Sequence, residues 1–113
     1  MSTGLEVTVK DLDGHTVVTA RGDIFFDTVD PLRTALLSAA ETDGPRIVLD
    51  LGDVRLCDSS GLNVMAHAQQ VTARHDGWLR LAAVRPMVRT VLEATNLVRL
   101  LPIYESVTAA TTG

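Results

Sequence analysis

The chain has 113 residues, 46% of them hydrophobic, which is enough for one compact core and too few for two ordinary domains. Its ten basic and 14 acidic residues give a formal net charge of −4 without a basic stripe, and aromatic residues make up only 4%, so a nucleic-acid partner is not expected. There is no bilayer-spanning apolar run and no signal-peptide pattern, and the single Cys57 excludes an intrachain disulfide, so we expect a cytoplasmic protein without membrane insertion.

The N-terminal segment predicts a β-hairpin. Leu5, Val7 and Val9 alternate with polar neighbours, which predicts a strand with one buried face. Turn-forming residues occupy positions 11–14, and the β-branched, apolar stretch 16–20 predicts the partner strand.

A helix is predicted after this hairpin. Apolar residues recur at helical spacing between positions 29 and 40, and Pro31 falls in the first turn, where its missing N–H does no harm. We expect Asp27 or Thr28 to cap the helix N-terminus and residues 43–45 to end it.

The middle of the chain predicts a buried strand and a second helix. Residues 47–51 form a short and nearly continuous apolar run, which is typical of a central strand covered on both faces. Helical spacing resumes after Gly61 and should continue to about Arg74, before the helix-ending sequence 75–77.

The C-terminal third predicts two more strand–helix pairs. Residues 79–84 indicate a strand, Pro86 begins a helix, and Asn96 takes the left-handed position that closes it. Residues 100–104 indicate a short last strand, and Ser106 can cap a terminal helix. Strands alternating with helices predict a single α/β domain over residues 1–113, with a mixed sheet of four to five strands and about four helices.

The most informative stretch lies where the buried strand passes into the second helix. Asp58 is a strong N-cap candidate, and Ser59 and Ser60 then take the first two helical positions, where free N–H groups and the helix dipole favour negative charge. A phosphate on either serine would be tolerated by the fold yet repel a closely packed partner. The same residues also fit an ordinary helix start, and spacing alone leaves both interpretations open.

Read with its neighbours, the sequence resembles a STAS domain of the anti-sigma factor antagonist type. The resemblance rests on Gly22-Asp23 after the second strand, on the strand 47–51, on the turn Asp58-Ser59-Ser60-Gly61-Leu62 and on a helix closing before Asn96-Leu97. It covers nearly the whole chain. It implies the STAS fold, a monomer or weak dimer, and a regulator rather than an enzyme.

The resemblance implies a partner switch. In this family the unmodified antagonist binds an anti-sigma factor that is also a serine kinase, and so frees a sigma factor. The kinase uses ATP to phosphorylate the serine after the aspartate, here Ser59, and a serine phosphatase resets it. By the same resemblance, Asp58 positions and electrostatically tunes the acceptor, Ser60 is a minor acceptor candidate, and Gly61 permits close approach of the partner.

The resemblance also suggests which residues surround the switch site and contact the partner. They are Asp23, Phe25, Phe26, Leu62 and Asn63. Phe25 stands where the family commonly has a second acid, and Asn63 stands where a glycine is more common. We expect one phenylalanine to pack into the core and the other to be an exposed anchor.

Other functions gain less support from the residues. Cys57 lacks a suitably placed histidine and is expected to be an inert thiol. His15, His67 and His75 show no ligand spacing, so neither a metal nor a cofactor is expected. The alternatives are an unphosphorylated STAS scaffold in a signalling or transport-associated complex and, third, an enzyme that uses Ser59 or Cys57.

Overall fold

The computed structural model describes residues 4–112, which are built around one five-stranded sheet. The first two strands form the predicted antiparallel hairpin, and the other neighbouring strands are parallel. The strands follow the spatial order β1-β2-β3-β4-β5 and are β1 Glu6–Leu12, β2 His15–Arg21, β3 Arg46–Asp53, β4 Trp78–Ala82 and β5 Ile103–Tyr104.

Four α-helices connect and cover these strands, in the order predicted from the sequence. They are α1 Asp30–Ala40, α2 Ser59–Arg74, α3 Pro86–Ala94 and α4 Val107–Thr112, with a short 3₁₀ helix at Leu97–Arg99. The predicted fold class, an α/β domain with a mixed sheet and about four helices, is therefore confirmed. Within residues 4–112, no helix is both long and apolar enough to cross a membrane.

Strand β3 lies at the centre of the sheet and is buried on both faces, as predicted. Ile47, Leu49 and Leu51 belong to the larger core cluster, which contains buried residues of α1, α2 and α3. Val48 belongs to a smaller cluster on the opposite face, where Ala110 of α4 covers it. This burial holds the carboxyl end of β3 in place, and the segment leading to α2 starts there.

Strand β1 corrects one prediction. Leu5, just before the strand, is buried and Val7 is half-buried, but Val9 is 54% exposed. Because β1 is an edge strand, the helical layer covers it at one end only. The alternation of apolar and polar residues therefore predicted the strand correctly, but the prediction that Val9 is buried is wrong.

The predicted N-cap of α1 is wrong. The cap position is Val29, which makes no side-chain hydrogen bond to the helix. The hydroxyl of Thr28 is used within the preceding loop, where it accepts from the Phe25 N–H at 2.9 Å and donates to the Asp23 carbonyl at 3.0 Å. Pro31 lies in the first turn of α1, as predicted.

The C-terminal third follows the prediction with shifted boundaries. Strand β4 ends at Ala82 because Ala83 has a φ of 58°, and β5 is only two residues long because the 3₁₀ helix occupies the chain before it. Asn96 has the predicted left-handed conformation, with a φ of 65°. Ser106 caps the last helix, its Oγ accepting from the Ala109 N–H at 3.1 Å.

An arginine fastens the last helix to the sheet. The guanidinium of Arg80 lies 3.9 Å from the centre of the Trp78 ring and 5.2 Å from that of Tyr104, and it donates to the Ala110 carbonyl at 2.8 Å. Trp78 thus packs against the smaller core cluster. Stacking and the charge-assisted hydrogen bond together stabilise α4 against the smaller core cluster.

Candidate functional site

Ser59 lies where two connections meet at the carboxyl edge of the sheet. Strands β2 and β3 are parallel, so the segments that follow them leave the sheet at the same edge. They remain paired beyond the strands: the Ile24 N–H donates to the Leu56 carbonyl at 3.0 Å, and the Asp58 N–H donates to the Ile24 carbonyl at 2.9 Å. Residues 22–29 and 54–58 therefore form one continuous rim beside the start of α2.

Asp58 is the N-cap of α2, as predicted from the sequence. Its Oδ1 accepts from the backbone N–H of Ser60 at 2.9 Å and from that of Gly61 at 3.4 Å. Its Oδ2 accepts from the Phe26 N–H at 3.0 Å. One carboxylate therefore caps the helix and holds the loop after β2 against it.

Ser59 is the first residue of α2, and its side chain is exposed. Within residues 4–112, the Ser59 hydroxyl has no hydrogen-bond partner. No acidic residue lies within the first turn of the helix. The negative charge at the positive end of the helix dipole therefore comes from the N-cap residue Asp58 and not from the first turn. Ser60 is half-buried, so Ser59 is the more accessible hydroxyl.

Gly61 and Leu62 lie beneath the site rather than on its surface. Gly61 is buried, and Leu62 is 4% exposed. Little of either residue is exposed, and the expectation that they contact a partner stays a prediction. A Cβ added at Gly61 would lie 2.5 Å from the Sγ of Cys57 and 2.7 Å from the Cγ2 of Ile24, so the glycine allows α2 to start close against the rim.

The loop after β2 presents one phenylalanine to solvent. Phe26 is 76% exposed, and Phe25 is half-buried but does not belong to either core cluster, so the prediction that one ring packs into the core is wrong. The anchor role of the exposed ring stays a prediction. Asp23 is half-buried, and its backbone carbonyl accepts the Thr28 hydroxyl. The backbone N–H of Phe26 donates to the Asp58 carboxylate, so the backbone that carries the exposed ring is held at the start of α2.

Asn63 is exposed one turn after Ser59 on the same side of α2. It lines a groove between the first two helices together with Arg33, Leu37, Val64 and His67. The predicted neighbours of the switch thus separate into exposed ones, Phe26 and Asn63, and partly or fully buried ones.

Cys57 has the properties of an inert thiol. Burial, with a smaller contribution from the Asp58 carboxylate, raises its pKa to about 12. Only a very small fraction of this sulfur is thiolate near neutral pH, and the thiolate is the reactive form. In the described part of the chain, no group of three His, Cys, Asp or Glu side chains could hold a metal ion.

Sequence reasoning missed four residues at the same edge of the sheet. Arg55 and Leu56 precede the switch, and Arg85 and Met87 lie at the start of α3; all four are exposed. They lie in connections or at a helix start, where periodicity carries no information about exposure. Only the parallel pairing of β3 and β4 brings the two segments to one edge.

Known proteins resemble this chain in sequence and in fold. The sequence is 26% identical over 106 residues to BtrV of Bordetella bronchiseptica, provisionally assigned as an anti-sigma factor antagonist, covering 94% of this chain and 91% of that one. It is 27% identical over 103 residues to the anti-sigma F factor antagonist of Paenibacillus polymyxa, covering 90% and 88%. The crystal structure of an anti-sigma factor antagonist from Mycobacterium paratuberculosis superposes with a TM-score of 0.86 at 28% identity, covering 99% and 95%.

The sequence profile of the STAS domain matches residues 6–110, from the first strand into the last helix. The match therefore includes the sheet, the rim and the start of α2. The chain belongs to the STAS domain family, and its similar proteins include anti-sigma factor antagonists.

Proposed function

We propose that the protein is an anti-sigma factor antagonist whose binding to an anti-sigma factor is switched off by phosphorylation of Ser59. The observation that carries the proposal is the exposed Ser59 hydroxyl at the first position of a helix whose N-cap is already filled by Asp58. The names of the similar proteins supply the class of partner.

The local electrostatics suit a reversible charge. A phosphoserine carries about −1.5 to −2 charges near neutral pH and accepts hydrogen bonds strongly. At the start of α2 it would lie at the positive end of the helix dipole and in an exposed position, although the neighbouring Asp58 carboxylate already accepts from the Ser60 and Gly61 N–H groups. The dipole and the access to solvent offset the repulsion from Asp58, so we expect the fold to tolerate the phosphate. A partner packed over Phe26 and Ser59 would instead have to desolvate this charge, which is costly without a compensating cation.

The switch implies two further proteins. We expect the anti-sigma factor to be the serine kinase that uses ATP, and a serine phosphatase to restore the unmodified form. Since ATP is required, we expect the switch to operate in the cytoplasm. The protein itself then acts by binding and does not catalyse a reaction.

Incubation with ATP and an anti-sigma factor kinase from the same genome, followed by intact-mass measurement, tests this proposal. We expect one added phosphoryl group on the wild-type protein and none on Ser59→Ala. The matched control is Ser60→Ala, which should still gain one group. A kinase that modifies other antagonists but leaves this protein unmodified would contradict the switch and favour an unphosphorylated scaffold.

A further inference from the structure

A shallow pocket opens at the same edge of the sheet as Ser59, on the side of α3. It has a volume of about 230 Å³ and is lined by Arg55, Arg85, Pro86 and Met87, which we call the arginine pocket. Arg55 belongs to the rim segment that leads to Ser59, and Arg85 is the N-cap residue of α3. The pocket is therefore continuous with the switch site along residues 55–59.

The two arginines of this pocket carry positive charge that the fold does not use. Both side chains are exposed, and neither forms a salt bridge with any residue between positions 4 and 112. Of the carboxylates at this edge, Asp53 pairs with Arg21, whereas Asp58 caps α2 through backbone N–H groups and keeps its negative charge. In a chain of net charge −4, this is a local concentration of unpaired cations.

The surroundings of the arginine pocket are apolar. Met87 is 62% exposed, Leu56 is 41% exposed, and Phe26 on the neighbouring connection is 76% exposed. The Leu56 carbonyl accepts from the Ile24 N–H, so a hydrogen bond holds the backbone that carries the Leu56 side chain. Exposed large apolar side chains beside arginines are typical of protein interfaces.

We propose that the arginine pocket receives an acidic side chain of the anti-sigma factor, while an adjacent apolar side chain of the same segment packs on Met87 and Leu56. This inference rests on the proposed function and adds the chemistry of the partner surface. Guanidinium groups bind carboxylates through paired hydrogen bonds, and two of them can hold one or two acids. Asp23 and Asp27 lie on the other connection, so the binding edge is polarised and gives the partner an orientation.

The pocket also explains how charge at Ser59 could act beyond its own contact. The two arginines contribute two positive charges, and a phosphoserine adds about −1.5 to −2. Together with the −1 of the neighbouring Asp58 carboxylate, this charge outweighs the two arginines, so phosphorylation would remove the attraction that this edge exerts on an acidic partner segment. The switch would act on both steric contact and electrostatic attraction.

The test is isothermal titration calorimetry, which measures the affinity of the wild-type protein and its variants for the anti-sigma factor at low and high salt. The variants are Arg55→Glu and Arg85→Glu, and the matched control is Arg46→Glu, an exposed arginine at the opposite end of β3. We expect each pocket variant to bind at least about fivefold more weakly and with a smaller salt dependence, and the control to bind within about twofold of wild type. Circular dichroism spectra should be unchanged for all three.

Two results would overturn the inference: one leaves the proposed function intact, and the other removes it as well. If wild type binds and both pocket variants match Arg46→Glu, the pocket is not part of the interface and the proposed function stands. If unmodified wild type fails to bind any anti-sigma factor of its genome, the proposed function fails and the pocket assignment fails with it.

Discussion

The Oδ2 atom of Asp58 lies 3.0 Å from the backbone nitrogen of Phe26, although the two residues are 32 positions apart. The other oxygen of the same carboxylate caps α2 through Ser60 and Gly61. The position of the exposed phenylalanine is therefore coupled to the start of the helix that carries Ser59. A change at the helix start can alter the docking surface through this single side chain.

Asp58→Asn should separate the two roles of this side chain. Asparagine is as good an N-cap as aspartate, so its one carbonyl oxygen can still accept from the Ser60 N–H, but its NH₂ group cannot accept from Phe26. We expect the Phe26 amide to exchange with solvent about tenfold faster, while the amides of α2 keep their protection. Hydrogen exchange followed by NMR checks this, and equal exchange of Phe26 in both proteins would show that the contact does not hold the loop.

Ser59→Asp should weaken binding to the anti-sigma factor by at least about tenfold, because it places a permanent charge in the contact surface. The free energy of unfolding should change by no more than about 0.5 kcal/mol, because at an exposed position the attraction to the helix dipole and the repulsion from Asp58 are both small and of opposite sign. Chemical denaturation and titration against the partner measure the two effects. Ser59→Ala is the control variant and should bind like wild type. Unchanged affinity of Ser59→Asp would mean that charge at this position does not regulate binding.

Gly61→Ala should destabilise the protein because its new methyl group would overlap the Sγ of Cys57 and the Cγ2 of Ile24. Overpacking of this kind costs about 1–3 kcal/mol, and the better helix propensity of alanine recovers only about 1 kcal/mol. Denaturant unfolding measures the net loss. In the double variant Gly61→Ala/Cys57→Ala the loss should be smaller than the sum of the single variants, and strict additivity would argue against the overlap.

The Cys57 thiol should react slowly in the native protein. Its pKa of about 12 lies above the ordinary value of 9.0, because burial disfavours the thiolate. The rate of alkylation by iodoacetamide at pH 8 should therefore be far below that of the denatured chain and should rise about tenfold per pH unit towards pH 12. Since the folded pKa is the higher one, ionisation opposes folding only above about pH 9. Rapid labelling at pH 7 would show an exposed, activated thiol.

The elements of this fold were predictable because each has a strong local signal. The apolar run of β3, the Asp58 cap and the left-handed Asn96 are all decided by nearby residues, and the structure confirms them. The predicted cap of α1 failed because Thr28 has a competing partner in the backbone of its own loop. Val9 was placed in a buried face because alternation does not reveal whether a helix covers that end of the sheet.

The candidate site was predictable in part for the same reason. Asp58 and Ser59 are neighbours in sequence, so their placement at the start of α2 follows from local rules. The contact of Asp58 with Phe26 and the approach of Arg55 to Met87 depend on the parallel order of three strands. Long-range pairings of this kind leave no pattern in a single sequence.

The central claim is tested most directly by titrating one anti-sigma factor with two preparations of the wild-type protein. One preparation is unmodified, and the other is phosphorylated on Ser59 to completion as judged by intact mass. We expect tight binding of the first and a loss of at least about tenfold in affinity for the second, with phosphatase treatment restoring it. Equal affinity of the two preparations would contradict a phosphorylation-controlled switch.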